Sequence, residues 1–148
     1  MRKTAGLTLV EILVTSAIIM TIAGFSLAAY SDFNNRQILN STTDELKNNL
    51  RQARGWAMAG RKTAGCIGDL LGYRFSFIGA DQYSVEVVCD DTIVVNNFSY
   101  DDKVSIDPEQ DSFTFQALTG ETGHQFEIRL VLGARSRSLN INSNGEVN

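Results

Sequence analysis

Residues 7–30, LTLVEILVTSAIIMTIAGFSLAAY, form a 24-residue apolar run that contains one charged side chain, Glu11. As a helix rising about 1.5 Å per residue the run is roughly 36 Å long, enough to cross a hydrocarbon core of about 30 Å. An ionised carboxylate inside lipid costs on the order of 2.5 to 3.5 kcal/mol even on lenient insertion scales, so Glu11 reads as a functional residue in need of a partner. Arg2 and Lys3 precede the run and no comparable basic cluster stands close behind it. The positive-inside bias then holds the N-terminus in the cytoplasm and sends the rest of the chain across the membrane. A secretory signal peptide is the competing reading, because Ser26-Leu27-Ala28 before Ala29 passes as a small-residue cleavage site and would release a secreted protein beginning at Ala29. The length of the run and the charge inside it favour a span over such a peptide.

Of the 148 residues about 60 belong to the leader, the apolar run and a helical stem, leaving some 90 for one globular body. The formal charge is −4; without Arg2 and Lys3 it is −6, from 11 basic and 17 acidic side chains. An acidic exported part argues mildly against nonspecific attraction to nucleic acid or anionic lipid. Two cysteines occur, Cys66 and Cys89. Outside the cytoplasm the pair reads as one disulfide, inside it as two small buried residues.

After the short basic leader MRKTAG, the residues Gly6-Leu7-Thr8-Leu9-Val10-Glu11 resemble the prepilin cleavage and methylation motif of type IV pilins and type II secretion pseudopilins. The resemblance implies cleavage between Gly6 and Leu7 by a membrane aspartyl peptidase and N-methylation of the new terminus at Leu7. Leu7 stands where the family more usually has phenylalanine, and Glu11 occupies the family's acidic position, five residues into the mature chain. The spacing has a chemical rationale. A freed α-amino group with an ordinary pKa near 8 is mostly cationic at neutral pH, and Glu11 lies one helical turn, about 6 Å, below it. In a staggered array of parallel helices the amine of one subunit can reach the acid of another, so the pairing sets register and makes assembly depend on the cut. Ala17, Thr21, Gly24 and Ala28, at spacings of four, three and four, offer a second feature: a face of small side chains that a neighbouring helix can approach closely, or the small residues common in any span.

Residues 31–60 form a stem. Its start, SDFNNRQILNSTT, is rich in mediocre helix formers and is where a continuous helix could melt or bend. Leu39, Thr43, Leu46, Leu50, Ala53 and Ala57 then recur by fours and threes, the apolar stripe of an amphipathic helix. Thr42 and Glu45 have capping-box spacing, so a fresh helix could begin there, while Gly60 with Arg61-Lys62 reads as the C-terminal end. No proline precedes residue 108; a helix from Thr8 to Ala59 would be roughly 78 Å long. LKNNLRQARGWAMAG is similar to the stem of FimT/GspH-like minor pseudopilins, and the closing SLNINSNGEV to their last strand and turn. Trp56 is read as a packing contact with the sheet.

From residue 71 the period changes to two. Tyr73, Phe75 and Phe77, then Tyr83, Val85, Val87 and Cys89, predict a hairpin; Ile93 to Phe98, Lys103 to Ile106, Ser112 to Phe115, Phe126 to Leu132 and Leu139 with Ile141 predict further strands. Turn residues at Asp90-Asp91, Thr119-Gly120 and Gly133 fit an antiparallel meander. The expected fold class is α+β: a long N-terminal helix, half membrane-spanning and half amphipathic stem, packed on an antiparallel β-sheet body over residues 61–148.

The motifs point away from catalysis. His124 stands beside a glycine with no nucleophile motif nearby, and no phosphate-loop, dinucleotide or zinc-protease pattern occurs. Asp107, Glu109 and Asp111 begin like a calcium loop, but Ser112 replaces the required glycine and Leu118 the closing glutamate, leaving a solvated acidic loop as the simpler reading; no metal site or cofactor is assigned. Arg129, Arg135 and Arg137 form a basic group near the C-terminus. Some competence-associated minor pilins of this group bind DNA through such arginines, against which stand the acidic net charge and the absence of interleaved aromatics. The sequence therefore reads as a structural, minor subunit of a type IV pilus or type II secretion pseudopilus, with other pilin subunits, the prepilin peptidase and an inner-membrane assembly platform as partners. A DNA-binding minor pilin is the alternative.

Overall fold

The computed structural model describes residues 8–148, apart from the side chains of residues 26–28. One helix, α1 (Leu9–Met58), precedes seven strands: β1 (Gly72–Phe77), β2 (Gln82–Val88), β3 (Thr92–Ser99), β4 (Ser105–Pro108), β5 (Ser112–Gln116), β6 (Phe126–Leu132) and β7 (Arg135–Ile141). The chain divides into two compact units, one ending at Arg36 and the other running from Gln37 to Asn148.

Helix α1 is continuous through the polar stretch, and no new helix starts at Thr42. The reason differs on the two sides of the unit boundary. Before it, Asp32 and Arg36 form an i,i+4 ion pair at 3.0 Å, a contact worth about 0.3 to 0.5 kcal/mol on an exposed helix. After it, burial decides. Leu39, Thr43, Leu46, Leu50, Ala53 and Ala57 are all buried, so the stripe read from the sequence is the face that meets the body. Thr42, the candidate cap, is buried inside this packed segment together with Thr43, whose hydroxyl donates to the Leu39 carbonyl at 2.6 Å as it would in a helix interior. Tertiary packing overrides a local capping signal, as it commonly does for marginal helix formers.

The helix ends in a Schellman motif. Gly60, at φ 60°, donates to the Ala57 carbonyl, and Arg61 donates to that of Trp56, both at 3.0 Å. The left-handed conformation at Gly60 is what lets those two amides turn back on the last carbonyls. Leu118, in the turn after β5, donates to the same Ala57 carbonyl at 2.9 Å and so fastens the helix end to the body.

The strands form two antiparallel sheets, not one meander: a four-stranded sheet in the order β3-β2-β1-β5 and a three-stranded sheet in the order β4-β6-β7. In the first, the rows Val87–Tyr73–Phe115 and Val85–Phe75–Phe113 face the core. In the second, Ile106–Leu130 and Ile128–Leu139 do the same. Phe75 stacks between Tyr83 and Phe113, with centroids at 5.0 and 5.7 Å, and Phe113 meets Phe126 of β6 at 4.2 Å, joining the sheets. Leu46 and Leu50 close the core from the helix side. The Asn49 amide donates to the Tyr83 hydroxyl at 2.6 Å, giving that buried phenol a polar partner on the helix. The body is thus an α+β arrangement of one helix against antiparallel sheets.

Between α1 and β1, residues 59–71 carry no regular structure and are tied down by the disulfide Cys66–Cys89, whose Cα atoms lie 5.8 Å apart. At the other end of the chain, Val147 bridges Ile141 beyond β7. The turn at Gly145 comes so close to the Gly120 carbonyl that a Cβ there would stand 2.0 Å from its oxygen, and Arg54 of α1 donates to the Asn144 carbonyl at 3.0 Å.

Candidate functional site

The first half of α1 carries the most unusual surface. Leu9, Val10, Ile12, Leu13, Ile18, Ile19, Met20, Ile22 and Phe25 are all more than half exposed. A segment of α1 has mean hydropathy 2.1 with none of it buried, and it is long and apolar enough to cross a membrane. A soluble monomer rarely presents so large a continuous apolar surface to water, which makes this segment compatible with a membrane span. Its hydroxyls fit that reading. Thr15 donates to the Glu11 and Ile12 carbonyls at 2.8 and 3.0 Å, Ser16 to Leu13 at 3.0 Å and Thr21 to Ile18 at 2.8 Å. Each of these hydroxyls is satisfied within the helix, as an apolar environment requires.

Glu11 occupies the first turn. Thr8 accepts the Glu11 amide through its hydroxyl oxygen at 3.3 Å, and its carbonyl accepts the Ile12 amide at 3.2 Å, which makes Thr8 the N-cap and Glu11 the third helical residue. Thr8-Leu9-Val10-Glu11 is a capping-box sequence. The spacing that marks a helix start is therefore the one at Thr8 and Glu11, not its repeat at Thr42 and Glu45. Its consequence is electrostatic: a carboxylate in the first turn sits in the positive end of the helix dipole. Gly6 and Leu7, where cleavage and methylation are expected, lie outside the described residues. Of the small-residue face, Ala17, Thr21 and Gly24 are exposed, Gly24 with open space where a Cβ would stand; the Ala28 side chain is outside the described set.

The arginines do not form one patch. Cross-strand partners share a face. Arg137 pairs with Leu130 and Arg135 with Leu132, both buried, so these two arginines lie on the face of β6 and β7 that turns towards the core, at its margin. There Arg137 lines a small cleft of about 210 Å³ with Asn40, Thr43 and Asp44 of α1. Arg129 pairs with Asp107 and Ser138 on the opposite face. Its guanidinium is 3.7 Å from the Glu127 carboxylate, in a groove of about 240 Å³ lined also by Asp107, Pro108 and Glu109. Glu109 turns its carboxylate to the Glu127 amide at 3.0 Å. Three acidic residues thus line the groove that holds Arg129, one of them in ion-pair contact with it, and they lower the positive potential there towards an incoming phosphate.

The remaining singled-out residues have structural surroundings. Asp107 and Glu109 belong to the groove just described, and among the described residues no three acidic, histidine or cysteine side chains are grouped to hold a metal ion. His124 is exposed, and its carbonyl accepts the Thr122 hydroxyl at 2.9 Å. Trp56 packs at 5.6 Å from Tyr73 of β1 and beneath the Arg61 guanidinium at 5.2 Å, so it is a contact between helix and sheet. Comparison with protein-family models, with curated proteins and with solved structures finds no match for this chain.

Proposed function

We propose that the chain is a structural subunit, of the minor class, in a type IV pilus or type II secretion pseudopilus. It is made with a leader, cut after Gly6, N-methylated at Leu7 and held in the inner membrane with its N-terminus inside and its body outside until it is assembled. The observation that carries the reading is an unburied apolar helical segment whose only acid, Glu11, lies in the first turn directly after the Gly6-Leu7 junction. The fold is consistent with it, since the second half of the same helix packs its stripe on antiparallel sheets. The protein has no reaction of its own. It acts by packing its helix among those of other subunits, with the cationic amine of a cut neighbour meeting Glu11. The prepilin peptidase and an inner-membrane platform are its processing and assembly partners.

Mass spectrometry of the N-terminal peptide from the native producer tests this directly. The expected terminus is N-methylated Leu7. An intact Met1 terminus, or one at Ala29, refutes the proposal, and the second of these identifies a secreted protein with a cleaved signal peptide.

A further inference from the structure

Phe33 is out of place. It sits in the polar segment Ser31-Asp32-Phe33-Asn34-Asn35-Arg36 and is 64 % exposed. Tyr30, three residues earlier and therefore on the same helix face, is 69 % exposed. Immediately around them the helix turns charged, with Asp32 paired to Arg36. Tyrosine, with an apolar ring and a polar hydroxyl, is enriched at the membrane–water interface, and Tyr30 stands at the junction between an apolar run and a charged segment, with the Phe33 ring adding apolar area beside it on the same face. We infer that Tyr30 and Phe33 anchor the outer interface of the bilayer, and that this anchor places Glu11 at the inner boundary of the hydrocarbon and not within it. The inference rests on the reading that this helix is held in a membrane before assembly, and it specifies how.

The depths follow from helix geometry. Tyr30 and Phe33 are 19 and 22 residues beyond Glu11, about 28 and 33 Å at 1.5 Å per residue, and the hydrocarbon core is about 30 Å thick. With the aromatics at one interface, Glu11 arrives at the other, and the bilayer centre falls near residues 21–22. Centring the apolar run itself, residues 7–30, gives a different result: the centre falls near residues 18–19 and Glu11 lies about 4 Å inside the hydrocarbon. The two placements differ by three residues, or about 5 Å of depth. In the anchored placement the carboxylate is hydrated in the waiting subunit, on the cytoplasmic side to which Arg2 and Lys3 of the leader direct the N-terminus before the cut. Glu11 then enters an apolar environment on leaving the bilayer for a packed array of helices, when a neighbour's amine is at hand.

Depth-dependent fluorescence quenching separates the alternatives. The full chain is reconstituted in phosphatidylcholine vesicles carrying bromine at shallow, middle or deep acyl positions. Single substitutions Ile18→Trp, Ile22→Trp and Phe33→Trp report depth, and the unsubstituted chain supplies the baseline of its one tryptophan, Trp56. The expected pattern is strongest deep quenching for Ile22→Trp, weaker deep quenching for Ile18→Trp, and for Phe33→Trp quenching by shallow bromines at least about twofold above that by deep ones. Deeper quenching at position 18 than at 22, or no quenching at position 33 while 18 and 22 are quenched, overturns the anchor and leaves the membrane reading intact. No quenching at any of the three positions overturns both.

Discussion

Reducing the Cys66–Cys89 bond is expected to destabilise the body by about 3 kcal/mol. The bond spans 23 residues of sequence, and closing a loop of that length removes unfolded-chain entropy worth roughly 3.4 kcal/mol at 25 °C in the chain-entropy treatment. The full amount is realised only if the native state keeps its place when the bond is cut. The segment between α1 and β1 has its own ties. Lys62 donates through its ammonium to the Gly68 carbonyl, Asp90 donates to that of Ile67 at 3.3 Å, and the Cys66 amide reaches the Thr63 carbonyl at 3.1 Å. Leu71 is held by the Val88 carbonyl at 2.8 Å, and the Cys89 side is buried. The assay is urea unfolding of the full chain in a mild non-ionic detergent, followed by Trp56 emission, with and without dithiothreitol, and with thiol titration to confirm two free cysteines. At a slope of about 1 to 3 kcal/mol per molar urea, the midpoint falls by roughly 1 to 3 M. A loss below about 1 kcal/mol would refute the reasoning, because it would mean that residues 59–71 melt locally on reduction and regain in the native state the freedom that the bond removes from the unfolded one.

Two further perturbations address the body. Leu46→Ala removes a fully buried side chain between helix and sheets and should cost about 3 to 5 kcal/mol by the same urea titration; a loss under about 1 kcal/mol would show that the stem does not close the core. Raising the pH tests the buried phenols. Burial pushes the Tyr83 and Tyr100 hydroxyls above their ordinary value of 10.0. Both then stay protonated in the folded chain while they ionise in the unfolded one. The folded state binds more protons above pH 10, so stability is complete below that value and falls as pH rises beyond it, by on the order of 1 to 2 kcal/mol at pH 11 for the pair after allowance for partial solvent contact. The check is the urea midpoint at pH 9 against pH 11, with Tyr100→Phe expected to show the smaller drop.

Much of the fold is legible in the sequence because local periodicity and burial agree. Leu39 to Ala57 recur by fours and threes and are the buried stripe; Phe126 to Leu132 alternate and point alternately inward and outward. Long-range choice is not legible. Nothing in Ser112–Gln116 says that it passes over its sequence neighbours to pair with β1, or that Ser105–Pro108 pairs with β6, and these two choices divide the strands into two sheets where turn chemistry suggests one. The arginines are a different case, because their separation is implied by the turn. A two-residue loop at Gly133-Ala134 fixes Leu132 opposite Arg135, hence Leu130 opposite Arg137, and parity then puts Arg129 on the other face. Closeness along the chain hides what the hairpin register states.

Glu11 shows how magnitudes decide between partners. Its place in the first turn of α1, behind the Thr8 cap, gives the carboxylate the favourable end of the helix dipole, an effect of about 0.3 to 1 kcal/mol. That is several-fold too small to offset the 2.5 to 3.5 kcal/mol or so that an ionised group costs in hydrocarbon. A helix end alone therefore does not keep Glu11 comfortable within lipid, and one of two conditions must hold: the group is at the boundary, or an opposite charge is beside it. Under the proposed function, the outer anchor at Tyr30 and Phe33 would meet the first condition in the waiting subunit, and the amine of a cut neighbour would meet the second in the assembled one. A chain with Glu11→Gln should consequently insert in the membrane as well as the parent and fail only at assembly, whereas removing the anchor with Tyr30→Ala and Phe33→Ala lets the helix slide outward until the apolar run is centred, which draws the carboxylate about 4 Å into the hydrocarbon and penalises the membrane-held state itself. Membrane fractionation of the two variants, with filament yield read in parallel, checks both halves; poor insertion of Glu11→Gln would show that the carboxylate serves the membrane-held state and not the assembled one.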